Sequence, residues 1–214
     1  HAGRLDMKQI YSQLTQIRPV CVLDATHPYA DEVTKNIKEA CQTAGFPYMR
    51  ILRENTDMTE NVTGSAKAHI RVADSMREAV DLLNDKPYLE KNILLTTGSK
   101  HLPDYTKIQD YQNRAYLRLL PSPEMLQKAV DTGFLPAHLI AMQGPFSQEL
   151  NVALIKQSGI GVLVTKQSGK SGGFEEKISA AEQTGTDVIV IKRPKQEDGK
   201  NLSEAEAELK KLMT

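Results

Sequence analysis

The chain has 214 residues, 40% hydrophobic and 25% charged, an ordinary globular mixture with enough length to bury one large core or two modest ones. Its 27 basic and 27 acidic residues cancel, so no global field attracts nucleic acid or an anionic membrane, and an anionic ligand has to be caught by a local cluster. No apolar run approaches the roughly 18 residues a transmembrane helix needs, and no signal-peptide pattern is present. The two cysteines, Cys21 and Cys41, lie in apolar periodic segments and read as reduced, packed thiols, so a cytoplasmic protein is expected.

The chain opens on His1-Ala2-Gly3-Arg4 and runs almost at once into a helix, as though entered in mid-domain. Asp6 followed by Gln9 predicts a capping box, and Met7, Ile10, Tyr11, Leu14 and Ile17 recur at helical spacing up to Pro19. Val20 to Leu23 is a short continuous apolar run, which predicts a strand covered on both faces. Val33, Ile37, Ala40, Cys41 and Ala44 form a second helical stripe closed by Gly45, and Tyr48 to Leu52 is the next strand.

From Glu54 to Lys67 the chain turns to Asn, Thr, Asp, Gly and Ser, the composition of a loop or domain junction. Beyond it the alternation resumes. Ile70 to Ala73 is a weak strand, Ser75 with Glu78 a second capping box, and Ile93 to Thr97 a strong buried strand ending at Gly98. Ala115 to Leu120 is another strand, and Ser122 caps a helix with Pro123 at its first position and Gly133 after its end. Leu139 to Met142 is a strand, and Ser147 caps the next helix. Gly161 to Thr165 and Val188 to Ile191 are the last strands, and Ser203 with Glu206 predicts the cap of a final amphipathic helix.

Short apolar strands alternating with helices mean repeated βαβ units, hence an α/β protein with mainly parallel sheets. The strands are too many for one lobe. We expect two Rossmann-like lobes, residues 1–64 forming the first, incomplete at its amino end, and residues 65–214 the second.

Ligands on such sheets sit outside the carboxyl ends of the strands, where helix N-termini also point. The strands here end in unusual turns: Asp24-Ala25-Thr26-His27-Pro28-Tyr29, Thr96-Thr97-Gly98-Ser99, Gln143-Gly144-Pro145-Phe146 and Thr165-Lys166-Gln167-Ser168-Gly169. In the first, Pro28 forces an extended backbone at His27 and projects the imidazole outward as a ligand contact or proton donor. The alternative is a side-chain-capped helix start with Pro28 near its first position, the simpler reading of that turn taken alone. The last turn, continued by Lys170-Ser171-Gly172-Gly173, has the glycines, hydroxyls and lysines of a phosphate cradle, although it matches no P-loop and no G-x-G-x-x-G follows any strand. A plain glycine-rich loop is the competing reading. His69, His101 and His138 have no Cys or carboxylate at ligand spacing, so no metal site is expected, and Ser168 lacks a nucleophile elbow.

Taken together, the stretches Gly3-Arg4-Leu5-Asp6, Asp24 to Ala30, Leu95 to Gly98, Gln143 to Ser147 and Val164 to Gly169, with Gly173, Glu176 and Lys177 behind, resemble the precorrin-6A reductase family, including its cobalt-precorrin-6A members. The resemblance implies an oxidoreductase of cobalamin, and so of porphyrin-type, biosynthesis. It would use NADPH or NADH to reduce a macrocyclic tetrapyrrole ringed by carboxylates, converting (cobalt-)precorrin-6A to (cobalt-)precorrin-6B. On that basis Thr97, Gly98, Ser168, Gly169 and Lys170 approach the cofactor. Asp24, Thr26, His27, Gly144, Pro145, Phe146 and Lys166 approach the substrate, with Arg50 and Arg53 as further local cations. His27 or Tyr29, or a bound water, supplies the proton, and His27 also suits a carboxylate clamp.

Two departures follow from the same resemblance. The family's opening strand and glycine-rich turn, about fifty residues ahead of Gly3-Arg4-Leu5-Asp6, are missing, and with them part of the cofactor site, so this departure allows weak or no cofactor binding and an inactive chain beside the expected enzyme. Gln167 stands where Asn is usual, and Lys170-Ser171 occupy a variable part of the loop. Two other functions stay open: a non-catalytic nucleotide-binding module, and another nucleotide-dependent enzyme on the same scaffold. No partner beyond the small-molecule tetrapyrrole is implied, with no nucleic acid and no membrane, and oligomeric state is not legible.

Overall fold

The first helix, α1 (Met7–Ile17), starts as its residues demand: the Asp6 carboxylate accepts from the Gln9 amide at 2.8 Å, and the Gln9 side chain accepts from the Asp6 amide at 3.0 Å. The structure is a computed structural model that describes residues 5–26, 30–52, 68–167, 172–192 and 199–212. These fall in two compact units, His1–Thr56 with Pro194–Thr214, and Asp57–Arg193.

In the first unit α1 is followed by β1 (Val22–Asp24), α2 (Asp31–Ala44) and β2 (Tyr48–Arg50), and β1 and β2 pair in parallel. Ile10 and Leu14 of α1 pack on Ala40 and Cys41 of α2, with Val22, Ile37, Phe46 and Tyr48 around them. The expected burial of Val20 to Leu23 on both faces does not hold. Val20 is 59% exposed and Leu23 46%, because only alternate residues of β1, Val22 and Asp24, turn toward the helices. The α2 helix begins at Asp31 with Ala30 as an N-cap lacking a side-chain bond, so it is not a helix start with Pro28 at its first position.

The sequence division after residue 64 leaves residues 194–214 with the second lobe, whereas in the structure they belong to the first unit. The Leu52 amide donates to the Lys200 carbonyl at 2.8 Å and the Lys200 amide to the Arg50 carbonyl at 2.9 Å, which adds a short parallel bridge beside β2. The closing helix α9 (Leu202–Leu212) is capped by Asn201 and Glu204 in a reciprocal box, not by Ser203 and Glu206. An Asn is as good an N-cap as a Ser, and it sits where the backbone turns.

The second unit holds β3 (Ile70–Ala73), α3 (Met76–Leu83), β4 (Asn92–Leu95), α4 (Leu102–Tyr105), α5 (Tyr111–Arg114), β5 (Ala115–Leu119), α6 (Pro123–Asp131), β6 (Leu139–Ala141), α7 (Gln148–Gln157), β7 (Ile160–Lys166), α8 (Phe174–Thr184) and β8 (Asp187–Ile191). Its strands form one parallel sheet in the order β3-β8-β7-β4-β5-β6. Ser75, Ser122 and Ser147 cap α3, α6 and α7 as expected, but Glu78 reaches the Asp74 amide and not that of Ser75. The short helices between Gly98 and β5 carry no repeating apolar stripe and were not foreseen.

Apolar layers cover both faces. Ile93, Leu95, Leu117, Val162, Val164 and Ile189 meet α3, α4 and α6 on one side, while Leu94, Leu163, Val188 and Val190 meet Val152, Ile155, Phe174 and Ala181 of α7 and α8 on the other. Near-continuous apolar strands are what a sheet covered on both faces requires. Each such side chain contributes roughly 1.5–3 kcal/mol of burial.

Candidate functional site

The Asp24 turn is the most tightly bonded feature of the first unit. Asp24 ends β1 and is 1% exposed. Its carboxylate accepts from the Thr26 amide at 3.0 Å, the Thr26 hydroxyl at 2.7 Å and the Tyr48 hydroxyl at 2.8 Å, and it lies 2.6 Å from Arg50 Nη1. Arg50 also donates to the Thr26 hydroxyl at 2.7 Å and, through Nη2, to the Thr26 carbonyl at 3.0 Å. Burial alone would push the Asp24 carboxyl up, but the Thr26 and Tyr48 bonds and the Arg50 charge outweigh it and hold the group below the ordinary carboxylate value. Asp24 and Arg50 therefore fix the shape of the turn that presents the next residues. Two of those residues, His27 and Tyr29, lie outside the described residues.

In the second unit the chain runs from β4 toward β5 and β6, then returns to β7 and continues to β8. The strand order therefore reverses between β4 and β7, the position where open parallel sheets bind ligands. Thr96, Thr97 and Gly98 follow β4 there, and Lys166 and Gln167 close β7. The Thr96 amide and hydroxyl both donate to the Val164 carbonyl, at 2.9 and 2.8 Å, and tie the two strand ends together. Thr97 is buried, with its hydroxyl bonded to the Tyr105 hydroxyl, which in turn donates to the Gly98 carbonyl at 2.9 Å.

Gly98 adopts φ 80° and ψ −175°, backbone that only glycine takes readily, and nothing lies within 4 Å of where its side chain would be. Burial pushes the His101 imidazole below its ordinary value, and the Lys166 and Lys100 charges act the same way against the pull of Asp104. The switch point thus combines open space beside a glycine with nearby lysines on a globally neutral chain. That donor set fits an anionic ligand such as the phosphate of a dinucleotide.

A further group lies at the carboxyl ends of β5 and β6. Phe146, in the turn after β6, stacks on the Arg118 guanidinium at 4.0 Å. A side chain at Gly144 would come within 3.0 Å of that ring, so the turn needs glycine to seat it. Arg118 donates to Asn151 Oδ1 at 2.8 Å, and Asn151 donates to the Ser147 carbonyl at 2.8 Å. Gly173, at the far end of the glycine-rich loop, would place a side chain 3.8 Å from the Phe146 carbonyl. The two turns therefore meet, with Lys177 and Glu176 of α8 beneath them.

Of the residues the sequence singles out, the structure brings Asp24 with Thr26 and Gly144 with Phe146, and it puts Thr97 and Gly98 at the end of β4 beside β7, the strand that Lys166 closes. Ser168, Gly169 and Lys170 lie outside the described residues. Sequence reading missed Tyr48, Tyr105, Arg118 and Asn151. Arg118 had a signal, a lone cation inside the apolar strand Ala115 to Leu120, whereas Tyr105 and Asn151 had none. A cavity of about 500 Å³ lined by Asn92, Gln109, Asn113 and Arg114 opens at the amino ends of β4 and β5, the end such sheets do not use for ligands. Among the described residues no group of three or more His, Cys, Asp or Glu is placed to hold a metal, and no helix is long and apolar enough to cross a membrane.

A parallel sheet covered by helices on both faces, with glycine and lysine at its switch point, defines a Rossmann-like α/β ligand-binding protein. Residues 1–211 match the family model Precorrin-6x reductase CbiJ/CobK, and the chain belongs to that family.

It is 35% identical to the cobalt-precorrin-6A reductase of Priestia megaterium over 202 residues, covering 92% of this chain and 74% of that one. With the cobalt-precorrin-6A reductase of Methanothermobacter thermautotrophicus it shares 33% identity, covering 90% of this chain and 60% of the relative. The precorrin-6A reductase of Mycobacterium tuberculosis is 29% identical, with 85% and 66% covered. A solved structure of CobK precorrin-6A reductase superposes with a TM-score of 0.69 at 24% identity, covering 98% of this chain and 80% of that one, which is a likeness of fold.

Proposed function

We propose that this chain carries the reaction of its relatives, the reduction of precorrin-6A or cobalt-precorrin-6A to the corresponding 6B compound in cobalamin biosynthesis, in the cytoplasm. A reduced nicotinamide cofactor, NADPH or NADH, supplies the hydride when bound, and a proton completes the reduction of one double bond. The observation that carries this reading is membership of the family across residues 1–211. The switch point supports it, since Gly98, Lys100 and Lys166 suit an anionic ligand.

In this reading Thr97, Gly98, Ser168, Gly169 and Lys170 hold the cofactor. Tyr105 fixes the backbone at Gly98 through its hydroxyl. Asp24, Arg50 and Tyr48 set the turn from which His27 and Tyr29 reach the substrate, His27 as a carboxylate clamp and either residue as the proton source. Gly144, Pro145, Phe146 and Lys166 complete the substrate side.

The test is oxidation of NADPH or NADH on addition of precorrin-6A or cobalt-precorrin-6A. Turnover with either pair upholds the reading. Failure of every pair, with cofactor and tetrapyrrole shown to bind, leaves a nucleotide-binding module instead.

A further inference from the structure

The second unit buries two arginines near the same strand, and they are satisfied very differently. Arg114, 5% exposed, directs Nε to the Gln109 carbonyl at 2.7 Å, Nη1 to the carbonyls of Tyr88 and Lys91 at 2.8 and 3.2 Å, and Nη2 to that of Leu83 at 2.9 Å. Those bonds explain its presence, because it terminates carbonyls that the fold leaves open. Arg118 is also 5% exposed, yet among the described residues it donates only to Asn151 and otherwise presses one face on Phe146. The Nε–Nη2 edge, the side of the fork that suits a carboxylate or phosphate, has no partner among them.

Beside it Lys177, 6% exposed, donates to the Gly172 carbonyl at 2.7 Å. The two cations act on each other: burial pulls the Lys177 ammonium down to about 8 with help from Arg118, against the pull of Glu176, and burial alone brings Arg118 to about 10. Among the described residues Glu176 is the acidic group that acts on Lys177, and its Oε2 is buried without a hydrogen-bond partner among them. The cluster therefore holds one positive charge in excess. Burying two cations against one carboxylate costs desolvation that their own bonds to Asn151 and Gly172 do not recover in full, so stability does not account for the charge. Its location does, at the carboxyl end of β5, under the meeting point of the 143–147 turn and the 172–173 end of the glycine-rich loop.

We propose that Arg118 and Lys177 form an oxyanion subsite for the ligand that lies on the Gly144-Pro145-Phe146 turn, with Glu176 Oε2 accepting from a hydroxyl, amide or water that accompanies the anion. The inference rests on the reductase reading for the sources of that oxyanion, a carboxylate of the tetrapyrrole or a phosphate of the nicotinamide cofactor.

The experiment titrates the full chain and its Arg118→Met and Lys177→Met variants with uroporphyrin, NADPH and inorganic phosphate, and records thermal unfolding of each. The expected result is wild-type affinity for uroporphyrin or NADPH that falls about tenfold or more in both variants, with unfolding midpoints lowered by a few degrees at most, since Asn151 Oδ1 and the Gly172 carbonyl each lose one donor. The probe that loses affinity identifies the source. Stabilisation by phosphate that disappears in both variants upholds the subsite even where the larger probes do not bind. Variants that bind every probe as the wild type does overturn it and leave the reductase reading intact. Variants that unfold many degrees earlier also overturn it, because the cations are then structural. The reductase reading fails separately, through absence of cofactor oxidation with precorrin-6A.

Discussion

Buried charge is used in opposite ways in the two units. In the first, Arg50 and Asp24 neutralise each other, and Tyr48 and Thr26 take up the remaining bonds of the carboxylate. In the second, Arg118 and Lys177 are buried beside each other with Glu176 as the acidic group that acts on Lys177, and Glu176 Oε2 stays unpartnered among the described residues. A charge whose partners are all inside the fold shapes backbone. A charge left in excess at the ligand end of a sheet is reserved for something that arrives.

The largest test of this contrast is Asp24→Ala. It removes the carboxylate that neutralises a nearly buried guanidinium and accepts from the Tyr48 hydroxyl, and we expect a loss of about 3–5 kcal/mol, read by denaturant unfolding of the first unit. Arg114→Met should cost about 3 kcal/mol by freeing carbonyls of Leu83, Tyr88, Lys91 and Gln109. The same change at Arg118 should cost far less, and equal losses at 114 and 118 would erase the distinction.

Acid sharpens the comparison from one side. Because the Asp24 carboxyl is held below its ordinary value, its stabilisation is complete above the unfolded-state value and is lost as pH falls through the folded one. Alkali sharpens it from the other. Lys177 titrates near 8 in the folded chain and near 10.5 unfolded, so between those values the unfolded chain binds the extra proton and stability rises with pH. Arg118 and Glu176 are the charged groups that act on it. The stability of wild type relative to Lys177→Met should therefore grow across that range, and affinity for an oxyanion should fall in wild type over the same interval. The raised Cys21, Cys41 and Tyr105 groups pull the whole-chain profile the other way, so the reading is the difference from Lys177→Met, and a difference that stays constant between pH 8 and 10.5 would remove the buried cation from the account.

Much of the architecture was legible because its signals are local. Capping pairs such as Asp6 with Gln9, and apolar runs such as Ile93 to Leu95, are decided within a few residues. The placement of residues 194–214 was not legible, since the bonds of Lys200 to Arg50 and Leu52 join positions far apart in sequence. The short helices between Gly98 and β5 escaped because they are too short to show a period. At the site, the glycines and the Asp24 turn stood out by residue type, while Arg118 and Tyr105 matter through partners that only the fold supplies. Sequence pattern finds the turns; the layer that holds them is tertiary.

Gly98→Ala comes next in size. Its φ of 80° with ψ near 180° should cost about 2 kcal/mol for any residue with a side chain, despite the open space around it. The loss should appear in the unfolding midpoint and in weaker cofactor binding, since the backbone relaxes out of that region.

The smallest effect discriminates most finely between built and reserved groups. Tyr105→Phe removes a hydroxyl that bonds Thr97 and donates to the Gly98 carbonyl, leaving the buried Thr97 hydroxyl without a partner, for a cost of about 1–2 kcal/mol. Thr97→Val should cost about half as much, because Tyr105 keeps its bond to Gly98. In the double variant no buried hydroxyl is stranded, so its loss should be smaller than the sum of the single losses. Strict additivity in thermal unfolding would show that Thr97 does not depend on Tyr105. Its hydroxyl would then be available to a ligand at the switch point, which would move Thr97 from the architecture of the turn to its contact surface.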